Sequence, residues 1–201
     1  MPKTTFFNLN KEKQSKIFQA AVQEFSLCSF KEASINQIIK QAGISRGSFY
    51  QYFRDKKDIY LYMLTEIGKE KLAVIDQARQ QQPDDDFFAA LLHITEAALT
   101  WAHAMPQYNQ IGMRMILDES EFIIKLRELS PQAVAQLTSL IARDQQRGVI
   151  KSEVKPELII EMITALMLYC LKEYYQSADY EGMLKQATEI YAIIKHGIAS
   201  T

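Results

Sequence analysis

The chain has 201 residues, 48% of them hydrophobic, with only seven glycines and five prolines. Such a composition excludes a disordered chain, and the scarcity of breakers favours long helices over many short strands. The net charge of −1 hides an asymmetry: residues 1–60 hold ten Lys/Arg against five Asp/Glu, a surplus of +5, while residues 61–201 carry −6.

A basic head on an acidic body suits one-sided contact with a polyanion. No signal peptide is visible, since residues 1–16 are polar apart from Phe6 and Phe7. The longest apolar run, residues 158–171, is interrupted by Glu161 and is too short to span a bilayer. Cys28 and Cys170 lie in apolar helical patterns and read as reduced, buried thiols, which points to the cytoplasm. The expected fold class is all-α.

In chain order, Asn8 or Asn10 can cap a first helix whose buried face carries Ile17, Ala21 and Phe25. Residues 34–57, SINQIIKQAGISRGSFYQYFRDKK, follow. Ser34 is placed to cap a helix in which Ile35, Ile38, Ile39 and Ala42 share a face. Gly43 suits the left-handed residue that ends it. Ser45 caps the next helix, which runs to about Tyr52, with Phe49 and Phe53 buried. Asp55 caps a third start, and Asp58 stands at its capping-box position.

This layout is that of a helix-turn-helix, whose second helix enters the major groove of DNA. Its expected outer face is Arg46, Gly47, Ser48, Gln51 and Tyr52. Arg can grip guanine and Gln can pair with adenine. A glycine permits close approach. The hydroxyls of Ser48 and Tyr50 and the ammonium of Lys56 suit phosphate oxygens. Ser34, Asn36 and Ser45 complete the expected DNA-facing set.

The two runs KIFQAAVQEFSLCSFKEASINQII and QAGISRGSFYQYFRDKKDIY resemble the DNA-binding domain of the tetracycline-repressor (TetR) family from about Ile17 to Tyr60. The resemblance implies a helix-turn-helix domain over residues 1–54. It also implies a ligand-binding and dimerisation domain over 55–201, joined through the long helix that starts after Asp55.

That helix carries Leu61, Leu64, Leu72 and Ile75, and Gln80, Gln81, Gln82 and Pro83 break it. Asp84, Asp85 and Asp86 offset the macrodipole of the next helix, which carries Phe87, Phe88, Leu91, Leu92, Ala98, Leu99 and Trp101. Pro106 opens a Met-rich segment, and Pro131 a helix that runs to Gly148. Residues 156–175 are apolar on nearly every side, and residues 180–196 form a last helix.

In the family this chain resembles, the last two helices pair with their copies in a partner. The resemblance therefore implies a homodimer through 156–175 and 180–196, binding a palindromic operator with two recognition helices about 34 Å apart. It also implies a repressor released by a small-molecule effector. Trp101, Met105, Tyr108, Met113, Met115, Phe122 and Tyr169 are the candidate lining of the effector pocket, and their chemistry suits an apolar or aromatic ligand. Arg114 could pair with an anionic ligand or with Asp118.

His93 and His103 are ten apart and would not share a helical face, so no metal site is expected. No cofactor is expected either. No phosphate loop, nucleophile elbow or zinc-hydrolase motif is present, which argues against an enzyme. The alternatives are an activator or effector-independent regulator, and a small-molecule-binding helical protein with a vestigial DNA head.

Overall fold

The computed structural model describes residues 1–80, 85–128, 131–177 and 179–198, and among them it has eleven helices and no β-strand. They are α1 (Thr4–Phe7), α2 (Lys11–Leu27), α3 (Ile35–Ala42), α4 (Arg46–Tyr52), α5 (Lys56–Gln80), α6 (Phe87–Ala104), α7 (Pro106–Leu117), α8 (Glu121–Arg127), α9 (Pro131–Gln146), α10 (Pro156–Ser177) and α11 (Tyr180–Ile198). The fold is all-α, with an N-terminal helix-turn-helix region followed by a helical domain. Of the expected break, Gln80 is still helical as the last residue of α5, and Gln81, Gln82 and Pro83 lie outside the described residues, as does Asp84. No helix among the described residues is long and apolar enough to cross a membrane.

The chain divides into two compact units: Met1–Ala73 with Ala102–Asp118, and Val74–Trp101 with Glu119–Thr201. α5 contributes to both.

In the first unit α2 is the central element and packs on α3 and α7. Asn10 starts it by accepting from Lys13 N–H at 2.8 Å. Its apolar face buries Ile17, Ala20, Ala21, Val22 and Phe25. Around this stripe the aromatics close a second layer: Phe25 meets Tyr60 at 4.7 Å between ring centroids, and Phe6 meets Phe53 at 5.1 Å and Tyr62 at 4.9 Å. The Phe25–Tyr60 and Phe6–Tyr62 pairs are edge-to-face and the Phe6–Phe53 pair is tilted, and rings at such spacing add to what their buried area contributes. Arg114 of α7 donates through Nε to the Ser26 carbonyl at 3.0 Å, which ties α7 to the end of α2.

The second unit has a core of Phe87, Phe88 and Leu91 from α6, Ile141 from α9, Ile159, Ile160 and Ile163 from α10, and Ala187, Tyr191 and Ile194 from α11. Cys170 is fully buried beside Leu99, Tyr174 and Met183, and Cys28 is half-buried; both are free thiols. Asp144 is 0% exposed, yet it is well supplied with donors. It accepts from Phe87 N–H at 2.6 Å and Arg143 Nε at 3.0 Å, with the Arg147 guanidinium at 3.5 Å. A buried carboxylate persists only with such compensation. Asp86 caps α6 through Phe88 and Ala89 N–H, and Asp85 pairs with His93 Nδ1 at 2.7 Å. Asp85 and Asp86 therefore organise the start of α6, as their position before a helix suggests.

Candidate nucleic-acid interface

α3 and α4 are joined by the turn at Gly43, whose φ of 64° is the left-handed conformation that ends a helix. The Gly43 N–H bonds to Lys40 O and the Ile44 N–H to Ile39 O, so the turn closes the last carbonyls of α3. Ser45 then caps α4, accepting from Ser48 N–H at 3.1 Å, and its hydroxyl lies 2.9 Å from that of Ser48. Phe49 and Phe53 are fully buried and anchor α4 from beneath.

Ser34 opens α3 differently from the expectation. Its hydroxyl makes no cap. Instead its backbone N–H donates to Glu24 Oε1 at 2.7 Å, and Glu24 is buried on α2. The start of α3 is thus held by a carboxylate ten residues earlier in the chain.

Asn36, Ser45, Arg46, Gly47, Tyr50 and Gln51 are exposed, while Ser48 and Ser34 are half-exposed. Arg46 Nη1 donates to Asn36 Oδ1 at 2.9 Å, and its guanidinium carbon lies 5.7 Å from the Tyr50 ring centroid. The guanidinium is thereby held between α3 and α4. A Cβ added to Gly47 would meet only Ser45 Oγ, at 3.8 Å. The protein's own packing does not demand glycine there, although a helix interior disfavours it.

Two members of the expected set behave otherwise. Tyr52, assigned to the outer face, is buried and sits edge-on to Phe6 at 6.2 Å. Its spacing explains this: Tyr52 is three residues after Phe49 and so shares the inner face. Lys56 donates through Nζ to Lys31 O at 2.9 Å and Ala33 O at 2.8 Å, with the Phe30 ring at 5.0 Å. Two of its three N–H donors thus serve the loop before α3, leaving one for a phosphate. Asp55 caps α5, accepting from Asp58 N–H at 2.9 Å.

Composition gave little warning of the N-terminal segment, which reaches α4 directly. Lys3 and Thr5 donate to carbonyls of its last turn, and Phe6 is 0% exposed. The paired Phe6 and Phe7 in an otherwise polar stretch were the one signal.

The effector candidates are spread over both units. Met105 is exposed at the start of α7, and Tyr108, Met113 and Met115 are half-buried along it. Met113 and Met115, two apart, project about 200° from one another around the helix. Trp101 on α6 and Phe122 on α8 are half-buried, and Tyr169 on α10 is 54% exposed. A cavity of about 370 Å³ within the second unit is lined by other residues, among them Arg79, Asp85, His93, Leu140 and Arg143. No cluster of three or more His, Cys, Asp or Glu suited to a metal occurs among the described residues.

A capped helix-turn-helix with a polar, cation-bearing outer face defines a DNA-binding protein of the regulatory kind. The sequence profile of the bacterial regulatory proteins of the TetR family matches residues 17–63. The uncharacterised HTH-type transcriptional regulator YdgC of Bacillus subtilis (strain 168) is 20% identical over 93% of each chain. The HTH-type transcriptional repressor BepR of Brucella suis biovar 1 is 25% identical over 81% of this chain and 80% of its own. In fold, the chain is similar to FadR from Bacillus subtilis, solved in complex with stearoyl-CoA, with a TM-score of 0.73 at 16% identity, covering 92% of this chain and 98% of that one. Residues 17–63 thus form a DNA-binding domain of the TetR type, and the sequence and fold comparisons together indicate a TetR-family transcriptional regulator.

Proposed function

We propose that the protein is a homodimeric repressor that binds a palindromic operator in the cytoplasm and is released by a small-molecule effector. Residues 1–54 are its DNA head, and 55–201 its ligand-binding and dimerisation domain. The observation that carries the dimer is a row on α10: Leu158, Met162, Leu166 and Tyr169 are 50, 43, 37 and 54% exposed. Their spacing of four, four and three is that of a helix–helix seam, and Ile193 on α11 adds a side chain 73% exposed. Such a contiguous apolar face on a lone chain marks an interaction surface. A second copy covers it by two-fold symmetry, which pairs like patches.

Base reading falls to Arg46 and Gln51, with Asn36 holding Arg46. Ser34, Ser45, Ser48, Tyr50 and the remaining donor of Lys56 serve the phosphates, and Gly47 allows close approach. The Tyr52 ring packs inward and contributes only through α4.

The repressor sign is supported by the likeness to the repressor BepR, and an effector with an apolar part by the stearoyl-CoA bound to FadR. Apart from Tyr169, which the α10 seam takes up, the aromatic and Met candidates for the pocket suit such a ligand. The mechanism is linkage: an effector that prefers the conformation unable to span the operator lowers operator affinity by its preference between the two states. Selection of duplexes from a randomised pool, followed by shift assays with and without long-chain acyl-CoA, tests the reading. Recovery of palindromic sites and their release by ligand is the expected result. Non-palindromic sites bound by a monomer would overturn it.

A further inference from the structure

α4 has seven residues, fewer than two turns, and a helix so short does not sustain itself. Its last four carbonyls have no partner within it. All four are nevertheless paired. Phe49 O accepts from Phe53 N–H at 2.8 Å. The other three accept from the N-terminal segment: Tyr50 O from Lys3 Nζ at 2.7 Å, Gln51 O from the Thr5 hydroxyl, and Tyr52 O from Lys3 N–H at 2.8 Å. Phe6, fully buried against Phe53, Tyr52 and Tyr62, anchors that segment. The segment lies outside the 17–63 span that matches the family profile.

We infer that Lys3 and Thr5 are positioning residues of the recognition helix, fixing its last turn and with it the side chains of Tyr50 and Gln51 that face DNA. The inference rests on α4 being the element that enters the groove. Base-edge hydrogen bonds need a defined backbone pose, whereas attraction to phosphates tolerates a frayed helix end. Loss of the brace therefore lowers specific binding and leaves non-specific binding intact.

The test uses the full chain and two duplexes: one selected by the wild-type protein from a randomised pool, and a scrambled duplex of equal length. Thr5→Val removes the hydroxyl donor without changing charge. It is expected to weaken binding to the selected duplex about fivefold, the scale of one net hydrogen bond. Binding to the scrambled duplex and the salt dependence stay unchanged, and Thr5→Ser restores wild-type affinity. Unchanged affinity of Thr5→Val for the selected duplex overturns the inference. So does an equal loss on both duplexes with a lowered melting temperature, which is plain destabilisation. Arg46→Ala is measured beside them. If it binds the selected duplex as wild type does, the recognition-helix reading itself fails; if it loses binding while Thr5→Val does not, only the positioning role fails.

Discussion

Arg46 of α4 and Asn36 of α3 are joined by a 2.9 Å hydrogen bond that crosses the helix-turn-helix. The bond selects one pose for a side chain that otherwise has many. Asn36→Ala frees the guanidinium, which then loses rotamer entropy on binding DNA. Asn36→Ala is expected to weaken operator binding less than Arg46→Ala, which would remove the proposed base contact, on the scale of about 1–3 kcal/mol. Titration of the selected duplex at fixed salt compares the two. An Asn36→Ala loss larger than that of Arg46→Ala would mean that Asn36 itself reads a base.

The two glycines of the head respond to alanine in opposite ways. Gly43 has φ 64°, so Gly43→Ala is expected to cost about 1–2 kcal/mol in stability, even though its Cβ would meet nothing within 4 Å. Gly47 is inside a helix, so Gly47→Ala is expected to add about 0.5–1 kcal/mol. The same change puts a methyl on the outer face, and DNA affinity should fall. Thermal melts paired with shift assays separate the effects.

Disrupting the proposed α10 seam is expected to dissociate the proposed dimer. Leu166→Glu places a charge in the middle of the exposed α10 row. It is expected to weaken self-association by about 2–4 kcal/mol, the scale of a central interface residue, and to abolish tight binding to a two-half-site duplex. Sedimentation equilibrium reads the first effect. An unchanged dimer would move the interface elsewhere.

Glu24→Ala removes the acceptor for Ser34 N–H. Leaving that donor without its partner is expected to cost about 1–3 kcal/mol. The loss should appear in urea unfolding of the head.

The Asp86–Lys195 contact at 2.6 Å gives the second unit an acid-sensitive latch. Partial burial pushes the Asp86 carboxyl up, but Lys195 and the N–H groups of Ala89 and Phe88 outweigh it and hold it below the usual carboxylate range. A lowered folded-state pKa contributes stability above the unfolded value of about 4, and loses it as pH falls through the folded value. Wild type is therefore expected to lose melting temperature faster than Asp86→Asn below about pH 4, with parallel curves near neutrality. Thermal melts of both across that range check this.

The helix-turn-helix was legible because its signals are local: Ser45, the Gly43 turn and the Phe49–Phe53 pair lie within one or two turns of what they control. Tyr52 was misplaced on the outer face, although three residues after Phe49 is the buried spacing. α1 was not legible. A four-residue helix has no periodicity, and it exists because Phe6 finds a hole between α4 and α5. Glu24 was hidden for a related reason, as an acidic residue on a helix normally faces water. The effector candidates were least decided by the sequence, because Met and aromatic side chains look alike there whether they line a cavity, fill a core or face solvent, as Met105 and Tyr169 do.

Asp144 bears on the order in which the chain takes shape as it is made. The first N–H of α6 waits for a carboxylate 57 residues later, and Asp86, whose cap on Phe88 and Ala89 is local, gains its Lys195 partner only 109 residues later. The Phe6, Phe53 and Tyr62 cluster needs only the first 62 residues. During synthesis from the N-terminus the nucleic-acid-facing end can close its aromatic cluster early. The first N–H of α6 finds its carboxylate only after Asp144 is made, and the Asp86–Lys195 contact closes only when nearly all of the polypeptide has left the ribosome.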